Sequence, residues 1–94
     1  MEDQAIIGSK KSELQAVAQK ISEMQMEQEE HQMVLQTLRP MDPERACFRL
    51  INGVLIERTV QEVIPVLEGQ LGNIGRLLET LQSKRADLER ELTA

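Results

Sequence analysis

Aromatic side chains are almost absent from this sequence of 94 residues, which holds one Phe, no Trp and no Tyr. Small compact domains usually fill their cores with such residues, so their absence favours an elongated shape. Cysteine occurs once, at Cys47, which excludes an intrachain disulfide framework. No apolar run approaches the roughly 20 residues of a membrane span, and the N-terminus lacks the basic-then-apolar layout of a secretory leader. Basic character is also wanting: 11 Lys and Arg stand against 16 Asp and Glu, a net charge of −5. That balance leaves no footprint for nucleic acid or an anionic membrane as a partner. The chain reads as cytosolic or nuclear. His31 has no second ligand nearby in sequence for a metal, Cys47 has no neighbouring His for nucleophilic catalysis, and no Gly-rich phosphate loop precedes a helix. Neither an enzymatic activity nor a cofactor is expected.

What is present is heptad periodicity. Leu14, Val17, Ile21, Met24, Gln28, His31, Leu35 and Leu38 follow one another at spacings of three and four, the signature of a coiled-coil seam. Ile7 extends the register backward by one heptad. The first helix is expected over about residues 9–38, capped by Ser9 or by Ser12 with Gln15 one turn later, and stopped at Arg39-Pro40. A second seam runs through Val60, Ile64, Leu67, Leu71, Ile74, Leu78, Leu81, Arg85, Leu88 and Leu92. This helix, expected over about residues 59–92, opens on Thr59-Val60-Gln61-Glu62, the spacing of a capping box. Pro65 should kink it, and Gly69, Gly72 and Gly75 fall outside the seam. The polar seam residues Gln28, His31 and Arg85 are read as setting register rather than as a site. Met24, Met26 and Met33 add adaptable apolar surface, of which Met26 and Met33 lie off the seam.

Between the arms stands CFRLINGVLIER, Cys47 to Arg58. Asn52-Gly53 is the strongest short signal for a two-residue type I′ hairpin turn, because both residues tolerate positive φ. Strand formers flank it on both sides, and a β-hairpin is expected over about residues 46–58. The expected fold is therefore mainly α: a long antiparallel coiled-coil helical hairpin with one β-hairpin between its helices, forming a single domain over 1–94. An isolated hairpin is marginal in water and presents two open strand edges, so this one asks for other chains. Charge follows the same division. Seven acidic and three basic side chains lie in 1–38, three and four in 39–59, and six and four in 60–94. The hairpin zone is nearly neutral between acidic arms. Apolar residues continue to the far end of both arms, where the two chain ends meet.

The segment RACFRLINGVLIERTVQEVIPVL, Arg45 to Leu67, resembles the signature of β-type prefoldin subunits, which carry one hairpin where α-type subunits carry two. The resemblance implies a heterohexamer of two α-type and four β-type subunits, with the hairpins joined into a double β-barrel platform and the helical arms projecting as tentacles. It implies a molecular chaperone that works without ATP, holds unfolded client polypeptides such as actin and tubulin, and transfers them to the cytosolic group II chaperonin. Subunit assembly would then fall on Cys47, Phe48, Leu50, Val54, Leu55 and Ile56. Client binding at the tentacle tip would fall on Ile6, Ile7, Leu14, Leu88 and Leu92. The alternative role for the same architecture is a coiled-coil scaffold subunit that tethers folded partners.

Overall fold

The structure, a computed structural model, describes the backbone of residues 2–93 and the side chains of residues 5–93. Helix α1 (Glu2–Leu38) leads through a loop to strands β1 (Ala46–Ile51) and β2 (Val54–Thr59), and β2 runs directly into helix α2 (Val60–Thr93). The body measures 63 × 27 × 14 Å, the elongated shape that the missing aromatics favour.

The two helices run antiparallel and bury their seams against each other. Val17, Ile21 and Leu35 from α1 and Val60, Val63, Ile74, Leu78 and Leu88 from α2 are buried, while Leu14, Met24 and Leu81 pack against the central cluster. Every seam position from Leu14 to Leu38 and from Val60 to Leu92 is buried or half-buried. Ile7, expected to prolong the first seam, is exposed. Three polar ties cross between the arms and agree on one register. Lys10 Nζ lies 3.0 Å from Glu91 Oε2 and Lys84 Nζ 2.9 Å from Glu13 Oε1; His31 Nε2 lies 3.1 Å from Gln70 Oε1, with Nδ1 against the Glu27 carbonyl at 2.9 Å. Ion pairs this exposed contribute at most about 1 kcal/mol each. Burial therefore supplies the cohesion, and the polar ties select the alignment.

Helix α1 begins at Glu2 and not near residue 9. Ser9 and Ser12 lie within it, exposed. Only Gly8 among residues 2–12 disfavours helix, and the Lys10–Glu91 pair ties this first stretch to the other arm. Helix α2 continues unbroken through Pro65, which leaves the Gln61 carbonyl without its usual amide.

The junction between arms and hairpin is bonded along the backbone. The Arg39 and Met41 amides close the last turn of α1 on the Leu35 and Leu38 carbonyls, at 2.9 and 3.0 Å. The Val60 and Gln61 amides, two of the orphan donors at the start of α2, donate to the Arg45 and Pro43 carbonyls at 2.9 Å each. The Glu62 amide donates to Thr59 Oγ1 at 3.3 Å, and the Thr59 hydroxyl and amide donate back to Glu62 Oε1 at 3.0 and 3.4 Å. This is the capping box read from the sequence. The Thr59 hydroxyl first, then its amide, and more weakly the Arg58 guanidinium 3.6 Å away, hold the Glu62 carboxyl below its ordinary value of 4.5.

Two predictions follow from this geometry. A carboxylate whose folded value is depressed stabilises fully above its unfolded value, and that contribution fades as pH falls through the folded value. Glu62→Gln should therefore melt below the wild type at pH 7, with the two melting curves converging in acid below 4.5. A constant difference at all pH values would show that the charge is irrelevant to the cap. At Gly69 and Gly75 an added Cβ meets nothing within 4 Å, so alanine at each should stabilise the helix by about 1 kcal/mol. The melting temperature of the double variant, followed by helical circular dichroism, should rise; a fall would mean that these positions need glycine for a reason other than space.

Candidate interaction surfaces

The hairpin is a two-stranded antiparallel sheet in the register Ala46↔Thr59, Cys47↔Arg58, Phe48↔Glu57, Arg49↔Ile56, Leu50↔Leu55 and Ile51↔Val54. Asn52 and Gly53 take positive φ, 50° and 81°, as a type I′ turn requires. Because side chains alternate across a strand, this register sorts the hairpin into two faces. Cys47, Arg49, Ile51, Val54, Ile56 and Arg58 share the face turned toward the arms, where Cys47, Arg49 and Ile56 are half-buried. Phe48, Leu50 and Leu55 share the outward face with Ala46, Glu57 and Thr59, and are 61%, 73% and 64% exposed.

Of the six assembly residues expected from sequence, three thus form one exposed apolar cluster. Cys47 and Ile56 instead lie on the inward face, and Val54 sits exposed beside the turn on that same face. Ile51, exposed across from Val54, was missed by the sequence reading, although its place directly before Asn52-Gly53 marked it as a hairpin-tip residue. The backbone adds a second element. In a two-residue hairpin the pair closing the turn is hydrogen-bonded, and bonded and non-bonded pairs then alternate. From the Ile51↔Val54 closure, the amides and carbonyls of Phe48 and Leu50 point to one open edge and those of Leu55 and Glu57 to the other. The residues with outward apolar side chains therefore also carry the free backbone groups.

At the far end of the arms the expected client residues separate. Ile6 and Ile7 are exposed, Leu92 is half-buried, and Leu14 packs on the core. Leu88 is only 6% exposed within the central cluster, where it closes the seam beneath the tip. The register set by the Lys10–Glu91 and Lys84–Glu13 pairs places Leu88 opposite the stretch of α1 around Leu14. Val63, buried under the hairpin, was missed because it lies outside the heptad seam, although Val60, Val63 and Leu67 share a helical face at spacings of three and four.

Among the described residues no helix is long and apolar enough to cross a membrane, and no three His, Cys, Asp or Glu side chains gather as a metal would need. Comparison with known proteins gives one consistent answer. Residues 2–94 match the family described as prefoldin subunit. The chain is 42% identical over 82 residues to prefoldin subunit 2 of Rattus norvegicus, covering 87% of this chain and 53% of the rat protein. It is 43% identical over 83 residues to the probable prefoldin subunit 2 of Schizosaccharomyces pombe, covering 88% and 73%. The chain spans about half the length of the rat and mouse relatives it matches. The crystal structure of the prefoldin beta subunit from Thermococcus strain KS-1 shares the fold, with a TM-score of 0.85 over 96% of this chain and 79% of that one at 17% identity. One β-hairpin held between two antiparallel helical arms, together with these matches, establishes that the chain belongs to the prefoldin subunit family.

Proposed function

We propose that this chain is a β-type prefoldin subunit acting within a heterohexamer of α-type and β-type subunits. In that assembly it serves as an ATP-independent holding chaperone in the cytosol. Its clients are non-native polypeptides, actin-like and tubulin-like chains among them, and it passes them to the group II chaperonin. The observation that carries this reading is the hairpin: Phe48, Leu50 and Leu55 lie exposed beside two open strand edges, a surface that a soluble protein must cover. Strand addition by neighbouring hairpins covers the edges and the apolar face together.

At the opposite end, Ile6 and Ile7 are the exposed apolar side chains available to a client, with Leu92 half-buried beside them. Leu14 and Leu88 support this surface from within the seam. A scaffold role is favoured by one feature, the Lys10–Glu91 and Lys84–Glu13 pairs that tie the tip shut and confine its apolar surface. A scaffold would bind a folded partner with defined stoichiometry, whereas a holding chaperone binds several unrelated denatured chains.

Mixed with the α-type and the other β-type subunits, the chain should enter a particle whose mass by light scattering is that of a hexamer. Formation of its own dimers alone would leave the scaffold as the better account. In the hexamer, Ile6→Ser combined with Ile7→Ser should weaken suppression of client aggregation while leaving the melting temperature nearly unchanged, because exposed substitutions cost within about 0.5 kcal/mol. Leu88→Ala should act in the opposite sense, costing about 2–5 kcal/mol of stability through the cavity it opens. Undiminished suppression by the isoleucine variant would remove the tip from the capture role.

A further inference from the structure

The loop that follows α1 leaves a groove on the side of α2 turned away from the hairpin. Arg39, Met41 and Pro43 of the loop face Gln61, Ile64 and Pro65 of α2 across a volume of about 300 Å³, the lower end of the range for ligand-sized pockets. No residue of either strand lines it. Gln61 and Pro65 stand one turn apart on a helical face, whereas Val63 and Val66, which share a cavity with Arg49, Ile51 and Ile56 of the hairpin, point roughly the opposite way. The seam accounts for Ile64, but Met41, Pro43 and Pro65 lie outside it. The groove is also remote from the tip: Ile6 and Leu38 are separated by about 48 Å along α1 at 1.5 Å per residue.

Its walls define the chemistry of an occupant. Met41 and Ile64 are half-buried and Pro43 and Pro65 exposed, an apolar surface suited to an aliphatic side chain. Pro65 has no amide, so the Gln61 carbonyl, which points along the helix toward it, lacks its usual donor. Because both residues line the groove, that acceptor is open to an amide from another chain. Arg39 is exposed and takes part in none of the ion pairs among the described residues. No carboxylate lines the groove beside it; the loop's Asp42 accepts the Glu44 amide at 3.0 Å instead. An occupant therefore needs an aliphatic side chain, a free backbone amide and a carboxylate. An extended peptide carrying acidic and aliphatic residues supplies all three, whereas the interior amides of a helix are already bonded.

We propose that this groove is a docking site for an extended acidic-aliphatic segment of a partner protein. Its aliphatic side chain packs on Ile64 and Pro65, its backbone amide donates to the Gln61 carbonyl, and its carboxylate meets Arg39. Neither the strand edges nor the tip supplies a residue to this site, so it serves a partner distinct from neighbouring subunits and from clients. Pro65, which neither the seam nor the cap requires, then has a role: it keeps one helical acceptor open.

The experiment titrates the full chain against two blocked fluorescent hexapeptides, one alternating aspartate with leucine and one alternating lysine with leucine, with binding read by anisotropy. The aspartate peptide is expected to bind at least tenfold tighter than the lysine peptide. Arg39→Gln should weaken its binding at least fivefold, and N-methylation of the peptide's backbone amides should do the same. Pro65→Ala gives the Gln61 carbonyl back its helical amide, so it should raise the melting temperature while weakening binding at least threefold, a combination that a merely structural proline would not produce. Phe48→Asp should leave binding unchanged, since the hairpin lies on the other side of α2. Equal affinity for the two peptides, loss of binding in Phe48→Asp, or undiminished binding by Pro65→Ala would each overturn the docking site. No arm of the experiment needs the hexamer, so this site and the assembly reading fail separately.

Discussion

Mutual burial of the α1–α2 seam is the interaction on which the rest of the molecule depends. Each helix is rich in Glu and Gln outside its apolar stripe and would fray in isolation, since helical stability in water comes mostly from packing an amphipathic face. Placing the two stripes together buries residues from Val17 to Leu88. The hairpin has no core of its own and borrows one. Val63, in the first turn of α2, is buried where it meets Arg49, Ile51 and Ile56 of the hairpin, and the Arg45 and Pro43 carbonyls accept the first amides of α2. With those bonds in place, the plane of the strands is fixed relative to the arms. A hairpin on a free linker would present the same residues without a defined direction.

The two ends of the molecule differ in how they meet solvent. At the tip, apolar side chains are few, and two ion pairs tie the arms together just inside Ile6 and Ile7. At the hairpin end, Phe48, Leu50, Ile51, Val54 and Leu55 are all exposed within two six-residue strands. Isolated apolar residues on a surface need no explanation, but a contiguous group beside unpaired strand edges does. Charge follows the same division: the arms are acidic and the hairpin zone slightly basic, so arms repel one another while hairpin ends do not. Association is thereby directed to one end of the rod.

Much of this was legible in the sequence because the features concerned are local. The Asn52-Gly53 turn, the Thr59–Glu62 cap and both heptad seams depend on residues within a few positions of one another, and each occurs where the spacing puts it. The start of α1 was not legible, because no breaker separates residues 2–8 from the seam and Ser9 offers a cap that tertiary packing overrides. Nor was the outward hairpin face. Alternation divides the strands into two sets, but which set turns inward is decided by α2, whose Val63 lies under the Cys47 and Ile56 side. Nor does heptad position say how deeply a residue near the end of an arm is covered: Leu88 is buried in the cluster against which Leu14 packs. The groove beside Pro65 was hidden because heptad logic recognises one buried direction, and the loop after α1 creates another.

The limited tip surface sets a limit on what one subunit can do. Burying a side chain such as Ile6 or Ile7 gains roughly 1.5–3 kcal/mol, before the loss of translational freedom and the ordering of a flexible client are counted. Two such contacts bring a single tip no further than millimolar affinity, which corresponds to about 4 kcal/mol. Holding a non-native chain therefore requires several tips at a fixed separation, whose effective concentration raises avidity without strengthening any one of them. Weak individual contacts also permit release, so no nucleotide-driven step is needed to open the complex. For the holding chaperone proposed above, the hairpin end would determine client retention more strongly than the tip, since it would fix how many tips act together and at what spacing. The larger exposed apolar surface accordingly lies at the hairpin end of the molecule.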